Sequence, residues 1–223
     1  MWANDVAIGV YDDPATWGRP SFSSANIFLN SLMYIDLKEA SFFADKLGKK
    51  SISKKFLKNA IEIKNKIQEY CWNERDRIFY SIDIQCRQNL VKIRYNIIIN
   101  KNLYPFWNAL QIKIISWVSF MPIWAGIATR KQAKIMITKN LLDKNKFWSN
   151  YGIRSLSADE KMYSPEIVRN NPSNWLGPIW IISNYIIWTG LIKYNFKYEA
   201  NKLADNILNL LNNDYKINSV FHE

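Results

Sequence analysis

The sequence predicts an all-α chain built of helical hairpins and arranged as part of an α/α toroid. Two segments show the same order of a long loop, a buried helix, a short turn and an outer amphipathic helix. The long loops carry most of the turn-forming and aromatic residues, so we expect binding residues at the end of the helices where these loops meet. No sharp sequence repeat is present, so a plain helical bundle is the alternative.

Composition favours one globular domain over the whole of 1–223, since 48% of the residues are apolar and 15% are aromatic. The excess of 30 Lys and Arg over 19 Asp and Glu gives a formal charge of +11. A basic helical protein that binds nucleic acid is therefore one alternative. The basic residues are scattered rather than clustered, which favours a solvated surface instead.

Cys71, Cys86 and His222 are too few and too far apart to predict a zinc site or a disulfide framework. We therefore expect no metal and two reduced thiols, as in a cytoplasmic protein. The first ten residues lack the pattern of a signal peptide, and the longest apolar run, around 179–192, is short of the roughly 20 residues of a membrane span. No membrane contact is expected.

The first helical hairpin follows an N-terminal loop, which Pro14, Gly18 and Pro20 predict over residues 1–22. Ser23 or Ser24 is expected to cap a helix over 24–47, and Ser51 or Ser53 a second helix after Gly48. The short link predicts that the two helices are antiparallel. The apolar positions expected to form the buried face of the first helix are Leu29, Leu32, Met33, Leu37, Ala40, Phe43, Ala44 and Leu47.

The sequence of the middle of the chain, between the two hairpins, predicts less regular structure. Residues 77–85 alternate in the manner of a short strand, and 106–128 indicate an extended loop that leads into a buried helical turn. A helix over 129–142 is expected to be capped by Thr129. A long loop over 147–175 follows.

The second hairpin is predicted to begin near Leu176, with Pro178 in the first turn of its leading helix. Because 179–192 are apolar nearly all round, burial on most sides is expected. An amphipathic outer helix is predicted over 197–213.

Four loops pair a Trp or Tyr with Gly or Pro, namely 4–20, 120–129, 147–157 and 171–185. Flat aromatic faces beside amide and guanidinium groups are typical of sugar sites, where rings stack and hydroxyls take hydrogen bonds. The alternative is that these side chains only close the ends of the helices.

The stretches "NDVAIGVYDDPATWGRPSFSSANIFLN", "FMPIWAGIAT", "FWSNYGIRSLS", "MYS" and "NPSNWLGPIWIISNY" together resemble the family 63 glycoside hydrolases. The likeness is to the branch of bacterial mannosyl-oligosaccharide glucosidases and mannosylglycerate hydrolases. It implies an (α/α)6 toroid of the glycosidase type, of which this chain is an incomplete part. It also implies inverting hydrolysis of α-linked glucosides or mannosides, with an oligosaccharide or small glycoside as partner, no nucleic acid and no organic cofactor.

The resemblance also implies where the catalytic groups should lie. Inversion needs an acid and a base whose carboxyl groups are roughly 6.5–9.5 Å apart. The acid of the family precedes an Asn that matches Asn4, so its place is taken by Ala3, and Asp5 is only a weak replacement. The base matches Glu223. A catalytically inactive or truncated sugar-binding domain is therefore an open alternative. The substrate-binding positions expected from the matching loops are Trp17, Gly18, Arg19, Trp124, Tyr151, Trp175, Gly177, Trp180, Asn184 and Tyr185.

Overall fold

A computed structural model describes residues 24–83, 110–166 and 175–221 of the chain. In these ranges the regular structure is mainly helical, with five strands of two residues each. The helices are α1 (Ile27–Lys46), α2 (Lys50–Lys66), α3 (Met121–Ala125), α4 (Arg130–Met136), α5 (Ile181–Lys193) and α6 (Lys197–Asn218). The strands are β1 (Ser24–Ala25), β2 (Trp72–Asn73), β3 (Ile78–Phe79), β4 (Ile82–Asp83) and β5 (Leu110–Gln111).

Helices α1 and α2 form the predicted antiparallel hairpin, but different residues cap them. The Asn26 side chain caps α1 by accepting from the backbone N–H of Phe28 at 2.7 Å, whereas Ser24 lies in β1. Ser23 lies outside the described residues. Helix α2 begins at Lys50 without a side-chain cap, because Gly48 adopts a left-handed φ of +73° that turns the chain directly into it. The predicted caps at Ser24, Ser51 and Ser53 are therefore wrong.

The buried face of α1 differs from the prediction at most positions, although Ala44 is buried as predicted. Leu29 is 61% exposed and Leu47 is 72% exposed, and Met33 and Phe43 are exposed as well. The helix instead buries a face that contains two serines, and the Ser41 hydroxyl lies 3.0 Å from the Ser53 carbonyl oxygen of α2. Small side chains let the two helices approach closely, which the apolar pattern alone did not indicate. The buried residues of α1 are Ile27, Ser31, Tyr34, Ser41 and Ala44.

Short strands and helical turns join the two hairpins. The predicted strand over 77–85 is two strands: β3 pairs with β2, and β4 lies between β1 and β5, with all pairs antiparallel. A 3-10 turn over Trp117–Phe120 leads into buried α3, which confirms the predicted helical turn. Thr129 caps α4 as predicted, and the structure adds a capping box with Gln132. Residues Ile67–Cys71 and Ile137–Leu141 end α2 and α4 as π-helical turns.

The second hairpin consists of α5 and α6, and its leading helix starts later than predicted. Helix α5 begins at Ile181, because hydrogen bonds to other loops hold residues 176–179 outside the helix. The backbone N–H of Ser164 donates to the Leu176 carbonyl at 2.7 Å, and that of Ser155 donates to Pro178 at 3.2 Å. A run of residues held in this way cannot also form the first turn of a helix.

The expectation that α5 is buried on most sides is wrong in part, since Ile181, Ile182 and Tyr185 are exposed. Its buried side packs on α3, where Gly190 allows close approach: a Cβ there would lie 3.2 Å from Ile123 Cγ2. The outer helix α6 buries Ala200 and Leu203 against this layer, so the predicted amphipathic helix is confirmed. The core therefore lies between the inner helices α1, α3 and α5 and the outer helices α2 and α6.

Candidate functional site

A cleft of about 1450 Å³ opens at the N-terminal end of α5. One wall is the segment from Trp175 to Trp180 together with the first turns of α5, and the floor is the loop that contains Trp148 and Arg154. The C-terminal half of α6 forms the other wall, with Leu210, Leu211 and Asp214. Aromatic and aliphatic side chains make up most of this lining, with a few charged groups among them.

A series of stacked rings leads from the core to this cleft. Phe28 meets Trp117 edge-on at 5.5 Å, and Trp117 lies over Trp175 at 5.7 Å. Trp175 stacks on Trp180 almost in parallel, with centroids 4.2 Å apart and planes 7° apart. Both tryptophans line the cleft, but Trp175 is buried and Trp180 is only partly buried. The core therefore fixes the position of a tryptophan at the cleft wall.

The segment that carries these tryptophans passes very close to a neighbouring loop at Gly177. A Cβ at this position would lie 2.7 Å from the Ser164 carbonyl oxygen and 2.9 Å from Tyr163 Cε2. The Gly177 N–H also donates to the Ser155 hydroxyl at 3.1 Å. The loop around Ser155 and the one around Ser164 thus hold the tryptophan segment from two sides.

Asn184 lies beneath the cleft and joins the floor loop to the tryptophan segment of one wall. Its Oδ1 accepts from the backbone N–H of Ile153 at 2.7 Å, and its Nδ2 donates to the carbonyls of Ile153 at 3.1 Å and Trp180 at 2.8 Å. The side chain is buried and already takes part in three hydrogen bonds. It supports the site and does not line the cleft.

Arg154 organises the floor. Its Nη1 donates to the carbonyls of Lys144, Lys146 and Trp148 at 2.9–3.3 Å, and its Nε donates to the Tyr163 hydroxyl at 3.1 Å. Because these bonds come from one planar guanidinium, they fix the 144–148 turn relative to the loop of Tyr163. Arg154 and Lys144 both line the cleft.

The structure brings some of the predicted substrate-binding residues together and leaves others apart. Tyr151, Trp175, Gly177, Trp180 and Tyr185 line the cleft, whereas Asn184 lies below it.

Trp124 lies elsewhere, at the end of α3, in a small cavity with Gly190. Trp17, Gly18, Arg19, Asp5 and Glu223 lie outside the described residues.

Sequence reasoning missed the lining residues Trp148, Arg154, Tyr163 and Asp214. Trp148 and Arg154 stand in the quoted stretch "FWSNYGIRSLS" and Tyr163 in "MYS", so the same resemblance offered a signal for all three. Asp214 had no such signal, because it lies near the far end of a helix for which the sequence predicts only an outer amphipathic role.

Ionisable groups offer no metal centre in the part of the chain that is described, where no three His, Cys, Asp or Glu side chains come together. Burial raises the pKa of Glu160, although its carboxylate accepts from the Ile115 N–H at 2.7 Å. This group lies outside the cleft. Among the described helices, none is both long and apolar enough to cross a bilayer.

Comparison with known proteins gives the family. The model of the mannosylglycerate hydrolase MGH1-like glycoside hydrolase domain matches residues 3–223. A probable trehalase of Eremothecium gossypii is 28% identical over 191 residues, which are 81% of this chain and 22% of the trehalase. A probable mannosyl-oligosaccharide glucosidase of Schizosaccharomyces pombe is 33% identical over 76 residues, which are 34% of this chain and 9% of the glucosidase. The chain therefore spans less than a quarter of the length of either relative.

Solved structures give the same fold. A GH63 mannosylglycerate hydrolase from Thermus thermophilus, determined with glucose, superposes with a TM-score of 0.65 at 17% identity. The match covers 93% of this chain and 45% of that one. The predicted class, all-α and part of an (α/α)6 toroid, is confirmed, and the plain helical bundle is excluded.

Proposed function

Because the chain belongs to the MGH1-like glycoside hydrolase family, we propose that its cleft binds an α-linked glucoside or mannoside as a glycosidase of this family would. The single observation that carries the proposal is the tryptophan stack at the cleft wall. Trp180 is held at a centroid distance of 4.2 Å from Trp175 and lines the cleft. The apolar face of a hexose packs on such a ring, while its hydroxyls need polar partners at the edge.

Polar partners are available around this ring. Arg154, Ser149 and Asn150 border the cleft from the loop side, and Asp214 borders it from α6. Guanidinium and amide groups donate to sugar oxygens, and a carboxylate accepts from sugar hydroxyls. An aromatic platform with donors on one side and an acceptor on the other fits a neutral, hydroxyl-rich ligand better than a nucleic acid, which would need a continuous basic surface.

For the reaction, we propose inverting hydrolysis in which Glu223 acts as general base on a water molecule. The acid that should protonate the leaving oxygen has Ala3 in its place, and Asp5 is the nearest alternative. Loss of one acid–base group typically costs 10²- to 10⁴-fold in rate. We therefore expect this chain to bind glycosides and to hydrolyse them very slowly.

The same proposal treats residues 1–223 as one domain, which needs no organic cofactor and no metal. It places the protein in the cytoplasm, as the cytosolic neutral trehalases among its relatives suggest.

Sugar binding can be tested by calorimetric titration with methyl α-glucoside and methyl α-mannoside. Stacking on one indole contributes about 0.5–1.5 kcal/mol beyond buried area, so Trp180→Ala should weaken binding several-fold. Trp72→Ala is the matched control, since Trp72 is also partly buried but packs against Phe79, with ring planes 57° apart, and does not line the cleft. If neither glycoside binds the unaltered chain, or if both variants bind equally well, the proposal is wrong.

A further inference from the structure

The side of α1 that faces away from its buried residues carries exposed apolar side chains. They recur at intervals of three or four residues, and at about 100° per residue such positions fall on one side of a helix. Leu29, Met33, Phe43 and Leu47 are 48–72% exposed, so no described element covers them fully. Together with the positions between them they form the α1 stripe, which consists of Leu29, Met33, Asp36, Ala40, Phe43 and Leu47.

Helix α5 carries a similar stripe. Ile181, Tyr185 and Ile192 are exposed, and Trp188 between them is partly buried. These four residues, the α5 stripe, are also three or four positions apart and lie on the side of the helix opposite Gly190. Because Gly190 is where α5 packs on α3, the α5 stripe faces away from α3.

The two stripes lie at the ends of one arc of helices. Helix α3 packs against both α1 and α5 and so links them. The stacked rings connect Phe28 at the start of α1 with Trp180 just before α5, which places the N-termini of the two helices at the same end of the arc. Helices α1 and α5 therefore run in the same direction, and each leaves an apolar stripe uncovered.

This arc has half the helix pairs of a complete ring. Within the described ranges, the helices form three successive pairs, α1 with α2, α3 with α4 and α5 with α6, whereas an (α/α)6 ring has six pairs. A twofold axis parallel to α1 and α5 would place the α1 stripe of one copy against the α5 stripe of another. The same axis generates the second, identical seam, so the contacts close on themselves.

The exposed apolar surface is large enough for such an association. The stripes hold four exposed apolar side chains on α1 and three on α5, and Phe42 and Ile182 beside them are exposed as well. At on the order of 100 Å² each, these side chains amount to about 900 Å² per copy. A stable interface buries about 800 Å² on each partner, whereas the largest apolar patch of a typical monomer is about 300–600 Å².

We propose that two copies of this chain associate through the α1 and α5 stripes and close a ring of six helical pairs. Tyr185 belongs to the α5 stripe and also lines the cleft, so α1 of the second copy adds a wall to that cleft. The association does not depend on what the cleft binds. Each copy carries a formal charge of +11, which opposes association, so added salt should strengthen the dimer.

Sedimentation velocity over a range of protein concentrations tests the proposal. The unaltered chain should reach twice the monomer mass, and its dissociation constant should fall as sodium chloride is added. Leu29→Glu and Tyr185→Lys should each give monomers, because each buries an unpaired charge at both seams. An equimolar mixture of the two variants should recover dimers, because one seam then pairs the new carboxylate with the new ammonium group and the other seam is unaltered.

Leu57→Glu is the matched control, because Leu57 is 46% exposed on α2 and lies outside both stripes. This variant should remain dimeric. Far-ultraviolet circular dichroism shows whether each variant is folded. If a charged variant unfolds, Leu29→Ala and Tyr185→Ala take its place, and each should raise the dissociation constant by about tenfold or more.

A monomer at every concentration and salt would overturn the proposal. Oligomers that grow without limit would do the same, because the contact between the stripes would then not close. A dimer that is lost in Leu29→Glu but kept in Tyr185→Lys would show that the α1 stripes pair with each other, which also contradicts the proposed seams.

Discussion

Replacing Gly177 by Ala tests whether the tryptophan segment is held as closely as the structure shows. The new Cβ would lie 2.7 Å from the Ser164 carbonyl oxygen and 2.9 Å from Tyr163 Cε2. The carbonyl cannot simply move away, because the Ser164 N–H donates to Leu176 at 2.7 Å, next to the substituted residue. Relief of the clash would separate the two strands of chain and break that hydrogen bond.

The expected cost follows from these two terms, in addition to the strain that a φ of +157° imposes on any side chain at this position. Overpacking typically costs 1–3 kcal/mol and a lost hydrogen bond about 1 kcal/mol, so Gly177→Ala should lower the free energy of unfolding by about 2–4 kcal/mol. With a urea slope of about 2 kcal/mol/M, the midpoint of unfolding falls by about 1–2 M. Far-ultraviolet circular dichroism during urea titration measures it.

Gly48→Ala is the control for backbone conformation alone. Gly48 has a φ of +73°, and a Cβ added there would meet no atom within 4 Å. This substitution should therefore cost only the strain of the left-handed backbone conformation, roughly 1–2 kcal/mol. A midpoint for Gly177→Ala equal to or above that for Gly48→Ala would refute the close approach.

Three further predictions concern the buried side chain of Asn184, the Cys71 thiol and the position of the catalytic acid at Ala3. Asn184→Ala leaves the N–H and carbonyl of Ile153 without their partner, so it should lower the free energy of unfolding by about 2–4 kcal/mol in the same urea titration. The control, Asn206→Ala, loses one partly buried hydrogen bond to Ser149 and should cost less than about 1 kcal/mol. Burial raises the pKa of the Cys71 thiol to about 12, so the reactive thiolate is scarce at pH 8. In a Cys86→Ser background, Ellman's reagent should therefore label the chain only after unfolding. Rapid labelling of the folded chain would contradict this. Ala3→Asp should raise hydrolysis of maltose by about 10²- to 10⁴-fold while Ala3→Asn does not, and an equal effect of both would show that the acid lies elsewhere.

The helical hairpins could be predicted because short turns at Gly48 and around Asn195 join segments of clear helical period. The buried side of α1 could not. Its exposed positions, Leu29 and Leu47 among them, are as apolar as a core face, and the choice of the serine side depends on how closely α2 approaches. The spacing of apolar residues predicts that a helix forms, but it does not predict which neighbouring element packs on it.

The tryptophan wall of the site was predictable for the same local reason, since Trp175 and Trp180 flank a Gly-Pro turn. The late start of α5 was not, because pairing with Ser155 and Ser164 overrides the helical preference of the residues after Leu176. Asn184 was expected at the ligand and instead bonds to the backbone. Polar residues in an apolar helix indicate a demand for hydrogen bonds without saying whether a ligand or the chain satisfies it.

The stacked rings from Phe28 to Trp180 have a thermodynamic consequence. Ordering one flexible side chain at a binding surface costs about 0.5–1.5 kcal/mol of entropy. Here that loss occurs when the chain folds, because Trp175 fixes the Trp180 ring at 4.2 Å before any ligand arrives. A weak, shallow contact with a sugar face can then contribute nearly its full energy to affinity.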